Sequence, residues 1–341
     1  MSVERRRVAA NGIDQHVYVA GPDDGAPVLL VHGNCSSAVF WLPLLRHVPP
    51  DLRIVAPDLR GYGETEPAGV DARRGLRDFA DDLAPLLDLF DGPPVVVGHS
   101  MGGGIAMQLA VDQPGRLAAL LLEAPLSPYG FGGTRDLVGT PNSPDFAGTG
   151  AGAVNPEFVA RLAAKDRTAD DLASPRSVMH GTYVADPESF GDDEEALLDS
   201  VLSTVVGDDN YPGDAAPSEG WPGAGPGTRG VLNAMSPRFY QIADALVALH
   251  PKPPIAWVRG DADVIVSDGS LLDLANLGQL GLVPGWPGAQ THPAQPMVGQ
   301  TRAVLERYGP YTETVFAGCG HSPHLERPAE FVAVLTGLLR R

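Results

Sequence analysis

Two alternating runs flank Asn11-Gly12 in "RRVAANGIDQHVYVA" (residues 6–20). That dipeptide is a strong two-residue turn signal, so the segment predicts a β-hairpin. The runs "APVLLVHG" (26–33) and "RIVAPDLRG" (53–61) are short, apolar and open into polar loops, as buried strands do. In "LRDFADDLAPLLDLF" (76–90), Leu76, Phe79, Leu83, Leu86, Leu87 and Phe90 fall on one stripe, which predicts a helix that Pro85 kinks or restarts. A strand over 93–98, a helix over 101–112 and the strand "LAALLLEAP" (117–125) come next. Buried strands alternating with amphipathic helices predict a mostly parallel sheet covered on both faces.

The pattern breaks after Pro125. Residues 126–154 are rich in Gly, Pro, Ser and Thr; helical spacing returns in "NPEFVARLAAK" and "DDEEALLDSVLSTVV", gives way to the loop-like "GDDNYPGDAAPSEGWPGAGPG", and closes with "SPRFYQIADALVAL". A structureless loop of that length does not fit a compact domain, so residues 126–251 predict an inserted, mainly helical and loop-built cap subdomain. Strand character resumes at "PPIAWVRG" and "YTETVFAG" and ends on the helix "PAEFVAVLTGLLRR". Residues 1–125 and 252–341 then form one α/β core, with a smaller insertion at about 281–300.

The chain has 341 residues, 43% of them hydrophobic, enough for a sizeable core. Its formal net charge of −18 argues against nucleic acid or an anionic membrane as partner. The start "MSVERRRVAANG" lacks the apolar stretch of a secretory signal, and no run reaches the length of a membrane span, so a cytoplasmic protein is expected. Cys35 and Cys319 make neither a disulfide framework nor a metal-ligand spacing. The acidic clusters "GDDEE" and "GDDN" lack the regular spacing of a calcium loop, and no metal site is expected.

The candidate chemistry begins in "PPVVVGHSMGGGIAMQLAVDQP" (93–114), where Ser100 stands between Gly98 and Gly102. Gly-x-Ser-x-Gly holds a serine on a strained strand-to-helix turn with its hydroxyl clear of the sheet. A serine is a weak nucleophile until a base takes its proton and a third group orients the base. His321, in "GCGHSPHLERPAEF", follows the last predicted strand and is the candidate base; His324 is its rival, and His99 is expected to point elsewhere. Asp261, Asp263 and Asp268 in "IAWVRGDADVIVSD" and Glu123 in "LLLEAP" are candidates for the acid. An anion site needs backbone N–H groups aimed at the developing oxyanion. Met101 offers one at the N-terminus of the elbow helix, and the loop His32-Gly33-Asn34 brings a second backbone segment close.

Five motifs, "HGNCSSAVFW", "PDLRGYGETEP", "GHSMGG", "GDADVIV" and "GHSPHLERP", occur in the order in which the α/β-hydrolase superfamily has them. The resemblance covers residues 1–125 and 252–341 and leaves the insertion unmatched. It implies the α/β-hydrolase fold, with Ser100 as nucleophile, His321 as base, and Asn34 and Met101 as oxyanion donors. It favours Asp263 as acid through the Gly-x-x-Asp spacing from Gly260, with Glu123 as the alternative acid some relatives use. "HGNCSSAVFW" looks like the haloalkane dehalogenases, and "GHSMGG" like serine esterases and cofactor-free haloperoxidases. Dehalogenases and epoxide hydrolases of this fold use an aspartate where Ser100 stands, so neither activity is expected.

The expected function is a serine hydrolase that cleaves a small-molecule carboxylic ester through an acyl-enzyme, without metal or organic cofactor. Lactone or carbon–carbon bond hydrolysis and perhydrolysis on the same residues are the alternatives, and a non-catalytic ligand receptor is the reading from another class. The insertion contributes Phe131, Phe146, Tyr183, Phe190, Tyr211, Trp221, Phe239 and Tyr240, which suggest a hydrophobic substrate group. Cys35, Trp41, Trp221 and Phe239 are the candidate pocket residues.

Overall fold

The structure, a computed structural model, describes residues 2–340; Met1 and Arg341, the outermost residues of the first and last segments read above, lie outside the described residues. Strands β1 (Val3–Ala10) and β2 (Ile13–Ala20) pair antiparallel across Asn11 and Gly12, both at positive φ, as the hairpin signal requires. The sheet continues through β3 (Ala26–Val31), β4 (Leu52–Pro57), β5 (Val95–His99), β6 (Ala119–Glu123), β7 (Ile255–Gly260) and β8 (Tyr311–Phe316). The spatial order is β1-β2-β4-β3-β5-β6-β7-β8, and every pairing from β4 onward is parallel. Six strands therefore end on one edge, and the loops that leave β3, β5, β6, β7 and β8 all open there. In an open parallel sheet that edge is where ligand crevices form.

The two faces of the sheet are separated by strand periodicity. Leu29, Val31, Val96, Leu120 and Leu122 pack on one side against α1 (Arg77–Leu83), α2 (Met101–Asp112) and, further along the chain, the helices at 243–248 and 297–308. Their neighbours Val28, Leu30, Val95, Val97 and Leu121 pack on the other side against the helix Pro328–Leu339. Each fully buried Leu, Val or Phe here contributes about 1.5–3 kcal/mol relative to exposure. The single kinked helix predicted over 76–90 ends at Leu83, and a tighter helical turn at Ala84–Leu89 replaces its second half. Pro85 removes an N–H that an α-helix would need there.

Residues 126–251 leave the sheet after β6 and return at β7, which pairs directly with β6. The segment contains α3 (Pro156–Ala163) and α4 (Glu194–Leu202), with short helical turns at 175–183 and 231–234. The stretch 207–227, read above as loop, holds parts of two ribbons: Val206–Gly207 with Tyr211–Pro212, and Ala215–Pro217 with Ala224–Pro226. Strands of two or three residues are too short for a period to be visible. The helix predicted over 236–249 is helical only at Ala243–Ala248. Both ends of the segment pack into the sheet-flanking layer through Leu126, Tyr129, Met235, Tyr240 and Leu246. Its middle forms a separate apolar cluster in which Phe158, Leu162, Tyr183, Leu197 and Val201 meet Cys35 and Phe40. Among the described residues no helix is long and apolar enough to cross a membrane.

Candidate active site

Ser100 sits at the corner between β5 and α2 with φ 56° and ψ −120°, a left-handed backbone that a residue with a β-carbon adopts only under constraint. Glycine is needed beside it because the chain crosses itself there. A Cβ on Gly98 would lie 2.3 Å from the Gly102 carbonyl oxygen, and one on Gly102 would lie 2.3 Å from that of Val31. The Ser100 N–H donates to Glu123 O (2.9 Å), and its carbonyl accepts from Gly103 and Leu126 N–H (both 2.9 Å). The backbone of the corner is fastened to two neighbouring segments while the side chain faces a cavity.

His321, in the loop after β8, shares that cavity wall, and its Nδ1 lies 2.8 Å from Asp263 Oδ2. Asp263 follows β7, and its other oxygen accepts the backbone N–H groups of Ile265 (2.7 Å) and Val266 (3.0 Å). Both carboxylate oxygens are thus directed, and His321 is turned with Nδ1 toward the acid. Asp261 and Asp268 are engaged elsewhere: Asp261 accepts from Gly318 N–H, and Asp268 from Val298 and Gly299 N–H. Ser100 Oγ makes no hydrogen bond among the described residues; such contacts often close only around substrate.

Glu123 belongs to a second, fully buried pair. Its carboxylate takes the backbone N–H of His324 (2.7 Å) and lies 2.9 and 3.0 Å from His324 Nδ1, while His324 Nε2 donates to Phe40 O (3.1 Å). Glu123 is therefore committed to His324, the rival histidine. His99 lies between the two pairs, with ring centroids 4.7 Å from His321 and 5.2 Å from His324. Its Nε2–H donates to His321 O (3.0 Å), and burial pushes its pKa well down, so it stays neutral. That bond commits its Nε2–H to the His321 backbone.

Met101 and Asn34 both line the cavity beside Ser100. Among the described residues neither N–H has a protein acceptor. The direction of the Asn34 N–H follows from the peptide it belongs to, since the C=O and N–H of one planar trans unit point opposite ways. Gly33 O is gripped on the far side by His32 Nδ1–H (2.8 Å) and the Ser36 hydroxyl (2.9 Å). The Leu59 N–H donates to His32 Nε2 (2.9 Å), which leaves the ring proton on Nδ1. Burial lowers the His32 pKa to about 4, so the ring stays neutral and keeps this tautomer. Tyr62 OH donates to Asn34 Oδ1 (2.6 Å). Sequence reasoning named Asn34 and passed over the contacts that His32 and Tyr62 make around it, although both lie in the quoted motifs.

The cavity measures about 800 Å³ and runs from Ser100 between the sheet edge and the middle of residues 126–251. Of the eight aromatic residues singled out in that segment, Phe131, Tyr183 and Tyr211 line it. Cys35 lines it too, but Trp41, Trp221 and Phe239 do not. Trp41 is buried under the site, 4.4 Å between ring centroids from His324. Trp221 reaches outward to donate its Nε1–H to Pro284 O, and Phe239 packs beside the sheet-flanking core. Aromatic side chains fill whichever apolar space is nearest, which for Trp41 and Phe239 is core rather than cavity. The mouth is lined by Leu172, Leu271, Leu272 and Leu282, exposed leucines that sequence reasoning did not select. Among the lining residues there is no Lys or Arg; Glu157 and Asp171 are the carboxylates. Both cysteines are free and buried, and burial raises the Cys35 thiol to about 12, so it is uncharged. Among the described residues no group of three or more His, Cys, Asp or Glu side chains forms a metal cage.

The profile of the Alpha/beta hydrolase family matches residues 28–334. The lipase LipV of Mycobacterium tuberculosis is 44% identical over 117 residues, 33% of this chain and 42% of that protein. The 2-hydroxy-6-oxo-2,4-heptadienoate hydrolase of Pseudomonas putida is 35% identical over 123 residues, 34% of this chain and 43% of that protein. The matched stretches thus span about two fifths of these curated relatives. The crystal structure of the esterase RhEst1 from Rhodococcus superposes with a TM-score of 0.62 at 18% identity, covering 100% of this chain and 99% of the other. The mostly parallel sheet flanked by helices is common to both.

Proposed function

The chain belongs to the alpha/beta hydrolase family, and on that premise we propose that it is a serine hydrolase cleaving carboxylic esters of neutral, hydrophobic small molecules through an acyl-enzyme. One observation carries the reading: Ser100, the Asp263-bound His321 and the unengaged N–H groups of Asn34 and Met101 face a single apolar cavity. Ser100 Oγ attacks the ester carbonyl as His321 Nε2 takes its proton, while Asp263 holds Nδ1–H and stabilises the imidazolium that forms. The two N–H groups hold the tetrahedral oxyanion, each such donor being worth on the order of 10²–10³ in rate. His321 then protonates the leaving alcohol and later deprotonates the water that frees the acid. The chemistry calls on no metal or organic cofactor.

In this reading residues 126–251 act as a cap that walls the crevice and sets which substrates fit. Their apolar lining favours hydrophobic acyl or alcohol groups. A lining without Lys or Arg supplies no counter-ion for a carboxylate such as the dienoate in the name of the Pseudomonas relative. Neutral esters are favoured for that reason. A panel of p-nitrophenyl esters of rising chain length, with and without a charged group on the acyl end, tests the reading. Turnover of the neutral esters and fluorophosphonate labelling at Ser100 are expected. A folded protein that neither hydrolyses any ester nor takes the label would refute it and leave the non-catalytic receptor.

A further inference from the structure

Asn34 and Cys35 are held by hydroxyl groups from both the sheet side and the insertion. Cys35 has φ 46°, one of six non-glycine residues in the left-handed region among the described residues. A β-carbon there is disfavoured unless the surroundings enforce it. Its carbonyl accepts the Tyr183 hydroxyl at 2.9 Å in a buried contact, and among the described residues no other group donates to it. Tyr183 lies at the end of the helical turn Met179–Tyr183, well inside residues 126–251. Cys35 is buried in one apolar cluster with Tyr211, also from that segment. Two residues on, Ser37 Oγ is 2.6 Å from Ser200 Oγ of α4. The insertion is further tied down where Val205 N–H donates to Gly61 O (2.9 Å) and Gly63 N–H donates to Ser203 Oγ (2.8 Å).

From this we infer that Tyr183 is a positioning residue: by holding the Cys35 carbonyl it fixes the left-handed turn that keeps the Asn34 N–H aimed at the oxyanion. His32 and Ser36 fix the peptide before Asn34, Tyr62 fixes its side chain, and Tyr183 fixes the turn after it. The first three come from the core, and the last comes from the insertion. The insertion is therefore a part of the oxyanion site as well as a wall of the cavity. It does not swing clear as a rigid lid during turnover, because doing so would release the loop. Substrate enters instead through the leucine-lined mouth.

This inference rests on the proposed role of the Asn34 N–H, and its test uses Tyr183→Phe, which keeps the ring against Phe40 and removes only the hydroxyl. With p-nitrophenyl butyrate, kcat is expected to fall about 10- to 100-fold, a fraction of what a lost oxyanion donor costs. KM should stay within about threefold, because ground-state contacts are unchanged. A trifluoromethyl ketone, whose serine adduct carries the oxyanion, should lose affinity in step with kcat; a non-reacting alkane-chain alcohol should not. A merely structural role would not separate these. An unchanged kcat in the folded variant, or a change confined to KM, overturns the inference. A readout independent of ester chemistry is iodoacetamide alkylation resolved by mass spectrometry at each cysteine. Tyr183→Phe should speed reaction at Cys35 and leave Cys319, buried beside Glu326, as an unaffected reference. If the wild type hydrolyses no ester, the proposed function fails while this alkylation ratio still decides the loop's dependence on Tyr183. Equal rates at Cys35 in both proteins would overturn it.

Discussion

Mild acid should destabilise this fold through His32. The ring is fully buried, accepts the Leu59 N–H on Nε2, and has no room for a second proton without losing that bond. Its folded pKa is about 4, against about 6.5 in the unfolded chain. Between these values the unfolded state holds more protons than the folded one, so stability falls as pH falls. The contribution is fully present above about pH 6.5 and is lost progressively down to about pH 4. Integrated to pH 5, the loss from His32 alone is about 2 kcal/mol. His99, pushed down by burial and by His321 and His324, acts in the same direction. Asp273, raised by burial, acts oppositely as it gains its proton, so the whole-protein curve mixes signs. A single substitution isolates the term. His32→Gln keeps an acceptor for the Leu59 N–H and removes the titration. Urea unfolding of both proteins at about pH 7.5 and about pH 5 should show the stability gap shifting by about 2 kcal/mol in favour of the variant at the lower pH. A gap that stays constant within about 0.5 kcal/mol would mean that His32 is not held neutral by burial, and the reasoning would be wrong.

Other expectations concern the chemistry and the cavity. Ser100→Ala should leave the fold intact and cut ester turnover by on the order of 10⁴–10⁶, read by p-nitrophenyl ester hydrolysis. Asp263→Asn should lower kcat by on the order of 10⁴, because the histidine loses its orienting acceptor. Glu123→Gln should instead cost about 1–3 kcal/mol of stability, with kcat of the folded protein near that of the wild type, because Glu123 is bonded to His324; a reversed ranking of the two kcat values would move the acid to Glu123. Leu172→Ser and Leu282→Ser, at exposed positions of the mouth, should raise KM for long-chain esters and leave acetate esters unaffected. Equal effects on both ester classes would show that the mouth plays no part in chain selection.

Much of the architecture was legible because it depends on local backbone demands and short periods. Asn11-Gly12 imposes its hairpin through positive φ at two adjacent residues, and Pro85 interrupts its helix through a missing N–H. Gly98 and Gly102 mark the Ser100 corner because no β-carbon fits the crossing there. Strand order within the chain also implied a shared edge for Asn34, Ser100, Glu123, Asp263 and His321, since parallel strands end together. What remained open was pairing. Two histidines three residues apart and four carboxylates at strand ends are alike as residue types; the family resemblance favoured His321 and Asp263, and packing shows Asp263 paired with His321 and Glu123 with His324. The same holds for the aromatics. Trp41 and Phe239 are apolar enough to line a cavity or fill a core, and the choice depends on which face of which neighbour is closest. Tyr183 was visible only as one aromatic among eight, for its task is a hydroxyl bond to a carbonyl 148 positions earlier in the chain. Local sequence constrains φ, ψ and burial within a few residues, whereas a contact across that separation exists only once the intervening segments have packed.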